Sequence, residues 1–411
     1  MLIKLAMKSL MQRRVSVLLT VMMISVSIFV LFSVEMIRYQ AKDSFGKTVS
    51  GVDLLVGART GQLNLLLHSV FHIGHATNNI SWQSYQIIDK HPKVAWTIPI
   101  SMGDSHRGYR VMGTTSALFK HFSYGEKQAL TFTHGVAFNQ LYDAVIGADA
   151  ARQLNYKVGD KIVLSHGIAK TSFSQHDDNP FTISGIIDPT GTPMDKTVFV
   201  SLQAIEAIHP NWQPGANLPT SELSREKALI PESVTAVMVG LQSKFATFDV
   251  QRQVNQFAKE PLTAILPAAT LMTLWQMLAN VEQILLLISI LVLAGALLGM
   301  SNMLLVSMRE RQHEMAVLRI LGASPWVILL LIQLEAMLLV ATGVILASLG
   351  LWVTVQVFRD YIISEYGLFI HEQVFTSNML LAIAWIFLAS FVATMIPAIS
   401  AYQRSLHANL R

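Results

Sequence analysis

Four long stretches of this chain carry almost no charge, and they limit the fold more than any other feature. Val15–Val34 runs uncharged between Arg14 and Glu35. As a helix it would be about 30 Å long, the thickness of a bilayer core. Gln283–Met308 is the second run, closed by Arg309. The third lies within Ile320–Phe358 and is interrupted only by Glu335. The fourth is Thr376–Gln403, closed by Arg404. The first run follows Lys4, Lys8, Arg13 and Arg14, as a signal peptide would. It is too long for an ordinary signal segment and no small-x-small cleavage site follows, so it reads as an uncleaved anchor.

Composition agrees. Only 14% of the 411 residues are charged and 52% are hydrophobic, against about 25% charged in a typical soluble chain. Those values argue against a disordered chain or a soluble enzyme. With no Cys there is no disulfide scaffold and no thiolate metal site. A net charge of +4 is too mild to imply a nucleic-acid partner. Basic residues set the orientation. Residues 1–14 hold four and no acid, and the 309–319 loop holds Arg309, Arg311 and Arg319 against Glu310 and Glu314. The 359–375 loop is mainly acidic. The positive-inside rule then places both termini and the 309–324 loop in the cytoplasm.

The expected fold class is an α-helical membrane protein with four transmembrane helices and a large mixed α/β extracytoplasmic domain between the first and second. The expected order is a basic segment 1–14, a span 15–37, the external domain 38–275, a stalk and span 276–308, and a cytoplasmic loop 309–324. A third span 325–352, a short external loop 353–376, a fourth span 377–403 and a cytoplasmic tail 404–411 complete it. Within 38–275, helices are expected near 82–89, 114–121, 147–154, 202–208 and 244–257. Strands are expected near 95–102, 109–113, 161–165, 181–187, 197–200 and 234–241, arranged in two lobes. Loops fall at 166–180 and 209–232. No Pro interrupts Ala268–Met308, so one helix can run from the external domain through the membrane.

The stretch Arg311-Gln-His-Glu-Met-Ala-Val-Leu-Arg-Ile-Leu-Gly-Ala-Ser324 is the most informative. Charges at 311, 314 and 319 flank apolar Met315, Val317, Leu318 and Leu321, which suits a short amphipathic helix. Gly322 is a natural stop and Pro325 a natural start for the next helix. The plain alternative is an ordinary turn between spans. The pattern resembles R-x-x-E-x-A-x-L-R-A-L-G-A-S/T of the permeases of the MacB/FtsX/LolC–LolE superfamily of ABC systems, with Ile320 where that family has Ala. Val145-Ile-Gly147, Val158-Gly-Asp160, Thr190-Gly-Thr-Pro-Met-Asp195, Glu335-Ala336 followed by Gly343 and Gly350, and Pro397-Ala398 are similar to further family signatures. Ser405–Arg411 follows the usual C-terminal pattern only loosely.

The resemblance implies that 309–324 is a coupling helix docking on a separate cytoplasmic ATPase through Arg309, Arg311, Glu314, Met315, Val317, Leu318, Arg319 and Gly322. It also implies a second permease copy, identical in preference to a different one. ATP-driven closure would be converted into movement of the external domain, with a periplasmic client or adaptor, in an inner membrane. The chain itself carries no expected cofactor; ATP and Mg²⁺ belong to the partner. Ala41-Lys-Asp-Ser-Phe-Gly-Lys-Thr48 falls one residue short of a phosphate-binding loop and follows a membrane helix rather than a strand.

Inside the spans, Gly295-x-x-x-Gly299 permits close helix approach, either within the chain or at a dimer seam, and Gly343 and Gly350 serve the same packing. Glu335 is a charge about ten residues into a span; a paired structural carboxyl is the expectation and an ion path the rival. His68, His72 and His75 invite a metal reading, because an i, i+4 pair on one helix face can offer two nitrogens; His166 and His176-Asp-Asp178 add others. Core or solvated histidines are the plain alternative. Residues 53–72 resemble a subgroup of these permeases, some of which accompany zinc-responsive, His-rich periplasmic proteins, and zinc handling is implied by that resemblance alone. The function expected is therefore an ABC permease subunit acting on a lipid-linked, lipoprotein or peptide client, or a metal. The alternative is a non-transporting FtsX-like regulator, against which the size of the external domain argues.

Overall fold

The computed structural model describes residues 2–48, 50–125, 127–166, 179–208, 212–213, 216–217, 229–311, 317, 320, 323–366 and 376–407. The chain divides into two compact units, one formed by Met1–Gln40, Leu278–Tyr361 and Ile370–Arg411, the other built on Ala41–Met277.

The first unit is helical. Helices α1 (Leu2–Gln12) and α2 (Arg14–Thr48) open the chain. Among the described residues, four helices are long and apolar enough to cross a membrane: α2, Pro267–Glu310, Pro325–Tyr366 and Ser377–His407. All four run past their expected ends, two of them by more than ten residues. α2 continues eleven residues past 37, so Ala41–Thr48 is helix and not a phosphate-binding loop. The third continues to Tyr366, where the expected boundary was 352; Arg359 and Asp360 end the apolar run but do not break a helix, and no Gly or Pro occurs before Gly367. Pro267–Glu310 is one unbroken helix, as its Pro-free sequence predicts.

The second unit is an eleven-stranded mixed sheet with helices packed on it. In chain order its strands are β1 (Leu54–Ala58), β2 (Val94–His106), β3 (Tyr109–Thr114), β4 (Phe132–Gly135), β5 (Asp143–Ile146), β6 (Lys161–Ile162), β7 (Ser165–His166), β8 (Phe181–Ile187), β9 (Thr197–Ser201), β10 (Ala236–Leu241) and β11 (Leu262–Ile265). The order across the sheet is β11-β1-β10-β2-β3-β9-β5-β8-β4, with β7 on β2 and β6 on β8. The β3–β9 and β5–β8 pairs are parallel and the others antiparallel. Long β2 belongs to both halves, which gives one continuous sheet where two lobes were expected.

Helices α3 (Gln62–Ser69), α4 (Trp82–Asp89), α5 (Ala117–His121), α6 (Ala148–Leu154), α7 (Leu202–Ile208) and α8 (Thr247–Asn255) cover the sheet. The core strands are buried on both faces: Leu54, Val56 and Ala58 pack into one apolar cluster and Leu55 into another. Two expected helices are shorter than their sequence windows, since Thr114 finishes a strand and Lys244–Ala246 is a 3-10 turn. The 161–165 strand is split into β6 and β7. Most of the two expected loops, 167–178 and 209–228, lies outside the described residues apart from a short pairing of 212–213 with 216–217. We number the remaining long helices α9 (Pro267–Glu310), α10 (Pro325–Tyr366) and α11 (Ser377–His407). The unit boundaries fall inside α2, after Gln40, and inside α9, after Met277. Within the second unit, the last turns of α2 meet the first turns of α9 through Phe45, whose ring lies 5.7 Å from that of Trp275 and 4.5 Å from that of Phe71.

Candidate functional site

The site begins where α9 ends. Arg311 is the residue after that helix, and its Nη1 lies 3.1 Å from Oε1 of Glu335 on α10 while also donating to Ser9 Oγ of α1. The Glu335 side chain is only 5% exposed, so its charge must be met inside the protein, and a guanidinium meets it. This is the paired carboxyl that the sequence favours over an ion path. The pairing also removes Arg311 from the outer face assigned to it: its guanidinium is drawn inward because a buried carboxylate about 15 Å along α10 needs a cation. Beside it, Arg13 Nη2 donates to the Ser307 carbonyl at 2.8 Å and its Nε lies 3.8 Å from Glu310. The base of the 309–324 loop is thereby tied to α1, to the turn between α1 and α2, and to α10.

On the loop itself, Arg309, Val317 and Ile320 are exposed, with Ile320 at 84%. Glu314, Met315, Leu318, Arg319 and Gly322 lie outside the described residues. A second polar cluster joins three helices farther along the same unit: Glu35 accepts from Arg38 at 2.7 Å and from Asn378 at 3.1 Å, and Arg38 lies 3.9 Å from Glu282. Along α2 the two clusters, at Arg13 and Glu35, are about 33 Å apart, close to a bilayer core. Sequence reasoning named Glu335 and Arg311 without pairing them. It passed over Ser9 and Arg13, whose only signal was their place in a basic segment.

The glycines separate by role. A methyl group on Gly299 would come 2.5 Å from Met23 Cε, and one on Gly343 would come 2.6 Å from Ile24 Cγ2, so α2 is packed directly against both. Gly350 makes only an ordinary contact with Phe29, and Gly295 faces open space. Gly295 and Gly299 therefore do not act together in packing this chain.

The histidines also separate. Helix α3 ends at Ser69 and Val70 caps it, while His72 lies beyond with a left-handed backbone (φ 57°). His68 and His72 thus do not share a helix face, which corrects the expected geometry; the chain turns out of the helix before His72 is reached. His68 is buried and His72 Nδ1 lies 3.1 Å from Thr197 Oγ1. Burial first, then the nearby Arg110 charge, pushes the pKa of both imidazoles down, that of His72 to about 3. His75 is exposed. His166 lies on β7, and His176 falls outside the described residues. Among the described residues, no three or more His, Asp or Glu side chains are grouped so as to hold a metal ion.

Residues 17–257 match the family model of the MacB-like periplasmic core domain, and residues 286–406 match that of the FtsX-like permease C-terminal region. The chain belongs to the MacB/FtsX/LolC–LolE superfamily. The Arg311–Glu335 pair and the 309–324 loop fall inside the FtsX-like segment, and the sheet, apart from β11, falls inside the MacB-like one. MacB/FtsX-like permease domains are typically non-catalytic transmembrane subunits, and the family usually works with a cytoplasmic ABC ATPase. Two solved structures are similar. The periplasmic region of MacB from Actinobacillus actinomycetemcomitans is 10% identical, covers 56% of this chain and 97% of its own, and has a TM-score of 0.33. The extracellular domain of the noncanonic ABC-type transporter YknZ from Gram-positive bacteria is also 10% identical, covers 52% of this chain and 98% of its own, and has a TM-score of 0.31. The family assignment rests on the two sequence matches alone. No curated protein matches the chain.

Proposed function

We propose that this permease converts ATP-driven closure of a separate cytoplasmic ATPase into movement of its sheet domain, which acts on a lipid-linked, lipoprotein or peptide client at the outer face of an inner membrane. The observation that carries this reading is the unbroken helix α9. Its first turns belong to the sheet unit, and its last residue precedes Arg311 at the base of the 309–324 loop. A continuous helix transmits displacement along its axis, whereas a flexible linker would absorb it. The positive-inside rule supports cytoplasmic termini and a cytoplasmic 309–324 loop. Two identical permease copies flanking the ATPase complete the proposed complex.

Glu314→Lys in the loop tests the reading. ATPase co-purification and its stimulation by the permease are expected to fall, with the protein still folded. Unchanged coupling would remove the docking role from this loop.

A further inference from the structure

Six of the nine buried side-chain polar atoms that lack a hydrogen-bond partner among the described residues lie in one short stretch. They are Thr60 Oγ1, both ring nitrogens of His68, Ser69 Oγ, His72 Nε2 and Thr77 Oγ1. Buried polar atoms are normally satisfied, so such a concentration marks a place built for something that supplies the missing bonds. His68 is 2% exposed, so water does not reach it freely.

The sheet puts a cation beside these imidazoles. Arg110 on β3 stands in register with Thr197 on β9, and the Thr197 hydroxyl is the partner of His72 Nδ1. Arg110 is half-buried and makes no ion pair or hydrogen bond among the described residues; burial is the cause that lowers its own pKa. Its charge acts on both His68 and His72, and among the described residues no carboxylate is a cause of either shift.

The hydrogen-bond inventory narrows the ligand. Thr197 Oγ1 already donates to the Pro193 carbonyl at 2.8 Å, so His72 Nδ1–H must donate to the hydroxyl oxygen. That leaves Nε2 of His72 as a bare lone pair. Neutral His68 offers one N–H and one further lone pair. The cluster therefore presents one fixed positive charge, one neutral donor and two acceptors. A carboxylate or a sulfate would satisfy the donors and leave both lone pairs unmet. A divalent cation would suit the lone pairs but would meet the guanidinium charge. An anion that also carries a proton satisfies the guanidinium, the donor and one of the two lone pairs.

We propose that Arg110, His68 and His72 form an anion site for a protonated phosphate group, its oxygens accepting from the guanidinium and the His68 N–H and its P–OH donating to an imidazole lone pair. Free phosphate and the phosphomonoester headgroup of a lipid share this chemistry. A phosphomonoester dianion takes up a proton on binding, whereas the hydrogen phosphate dianion already carries its P–OH.

The test is calorimetric titration of the detergent-solubilised full chain near pH 7 with sodium phosphate, sodium sulfate and short-chain phosphatidic acid, in buffers of different ionisation enthalpy. Saturable phosphate binding, weakened about 10–100-fold in Arg110→Gln, is the expected result, that range being the loss of a charge-assisted hydrogen bond; phosphatidic acid bound from its dianion is expected to take up a proton. Binding of phosphatidic acid alone, equally sensitive to Arg110→Gln, supports the site with a lipid headgroup as its source. Absence of binding by either phosphate compound overturns the proposal, as does binding unchanged in Arg110→Gln. Sulfate binding as tight as phosphate overturns the role of the lone pairs, and a zinc chloride response without a phosphate response replaces the site with a metal one. Should Arg110→Gln fail to fold, His68→Phe is measured in its place and is expected to lose phosphate binding in the same way.

Discussion

Arg311, the first residue after α9, holds the buried carboxylate of Glu335 on α10 at 3.1 Å. One hydrogen-bonded ion pair thus fixes the root of the 309–324 loop to the helix that follows it. Glu335→Gln is expected to destabilise the protein by about 3 kcal/mol, the low end for breaking a buried pair, because Arg311 keeps Ser9 as a partner. Replacing both residues, Arg311→Met with Glu335→Leu, should recover most of that loss. Thermal unfolding in detergent measures the cycle. A Glu335→Gln protein that melts like the parent but loses an ion flux would instead make Glu335 part of an ion path.

Gly343 and Gly299 both touch α2, yet their substitutions should differ. An added methyl on Gly343 meets Ile24 Cγ2, on a β-branched side chain with little freedom to turn away. The methyl on Gly299 meets the terminal Cε of Met23, which can swing aside. Gly343→Ala should therefore cost about 1–3 kcal/mol, and Gly299→Ala much less. Gly295→Ala should leave the melting of the isolated chain unchanged, since its methyl would meet open space. Equal costs at Gly299 and Gly343 would show that the helices adjust as rigid bodies.

How much of this was legible in the sequence follows from where charge and alternation occur. The four long helices announce themselves because charge is excluded from each for 20 or more residues. Phe181–Ile187 is legible as a strand by its alternation. Leu54–Ala58 is not, because it is buried on both faces and shows no alternation. Leu262–Ile265 and Asp143–Ile146 are too short for a pattern to develop. Leu2–Gln12 was read for its charge, while its helix shows in the structure as buried Ala6 and Ser9 beneath exposed Ile3, Met7 and Met11. At the candidate site, Glu335 stood out as a lone charge, but its partner lies 24 positions away in sequence and no local spacing points to it. Arg110 carried no signal, because its neighbours come from β9 and from the turn after α3.

Asp195 gives a pH dependence of definite sign. It is 3% exposed and accepts from Thr190 N, Thr190 Oγ1 and Gly191 N, each at 2.8 Å. Burial outweighs these bonds and raises its pKa to about 6. The folded state then holds the proton more tightly than the unfolded chain. Its contribution to stability is full below the ordinary carboxylate pKa and is lost as pH rises to about 6. The loss amounts to about 3 kcal/mol. Unfolding midpoints measured from pH 4 to 7 should show this fall in the parent and a flatter profile in Asp195→Asn. A parallel pair of profiles would mean that the carboxylate is solvated in the folded state.

Val317 and Ile320 are the two large apolar side chains described in the 309–324 loop, exposed at 54% and 84%. Large apolar groups left in water on a loop whose root is pinned by ion pairs are suited to a partner surface. Three positions apart, they would share one face of the amphipathic helix that the sequence predicts there. Because neither contributes to a core, Val317→Asp and Ile320→Asp should change folding stability by less than about 0.5 kcal/mol. A carboxylate placed in an apolar contact must instead be desolvated, so co-purification with the ATPase should fall at least about tenfold. Glu335→Gln should lower both stability and coupling, since it loosens the root. The comparison separates the two roles: if the Asp variants retain the ATPase and the Gln variant does not, the partner reads the position of α9 and α10 rather than the outer face of the loop.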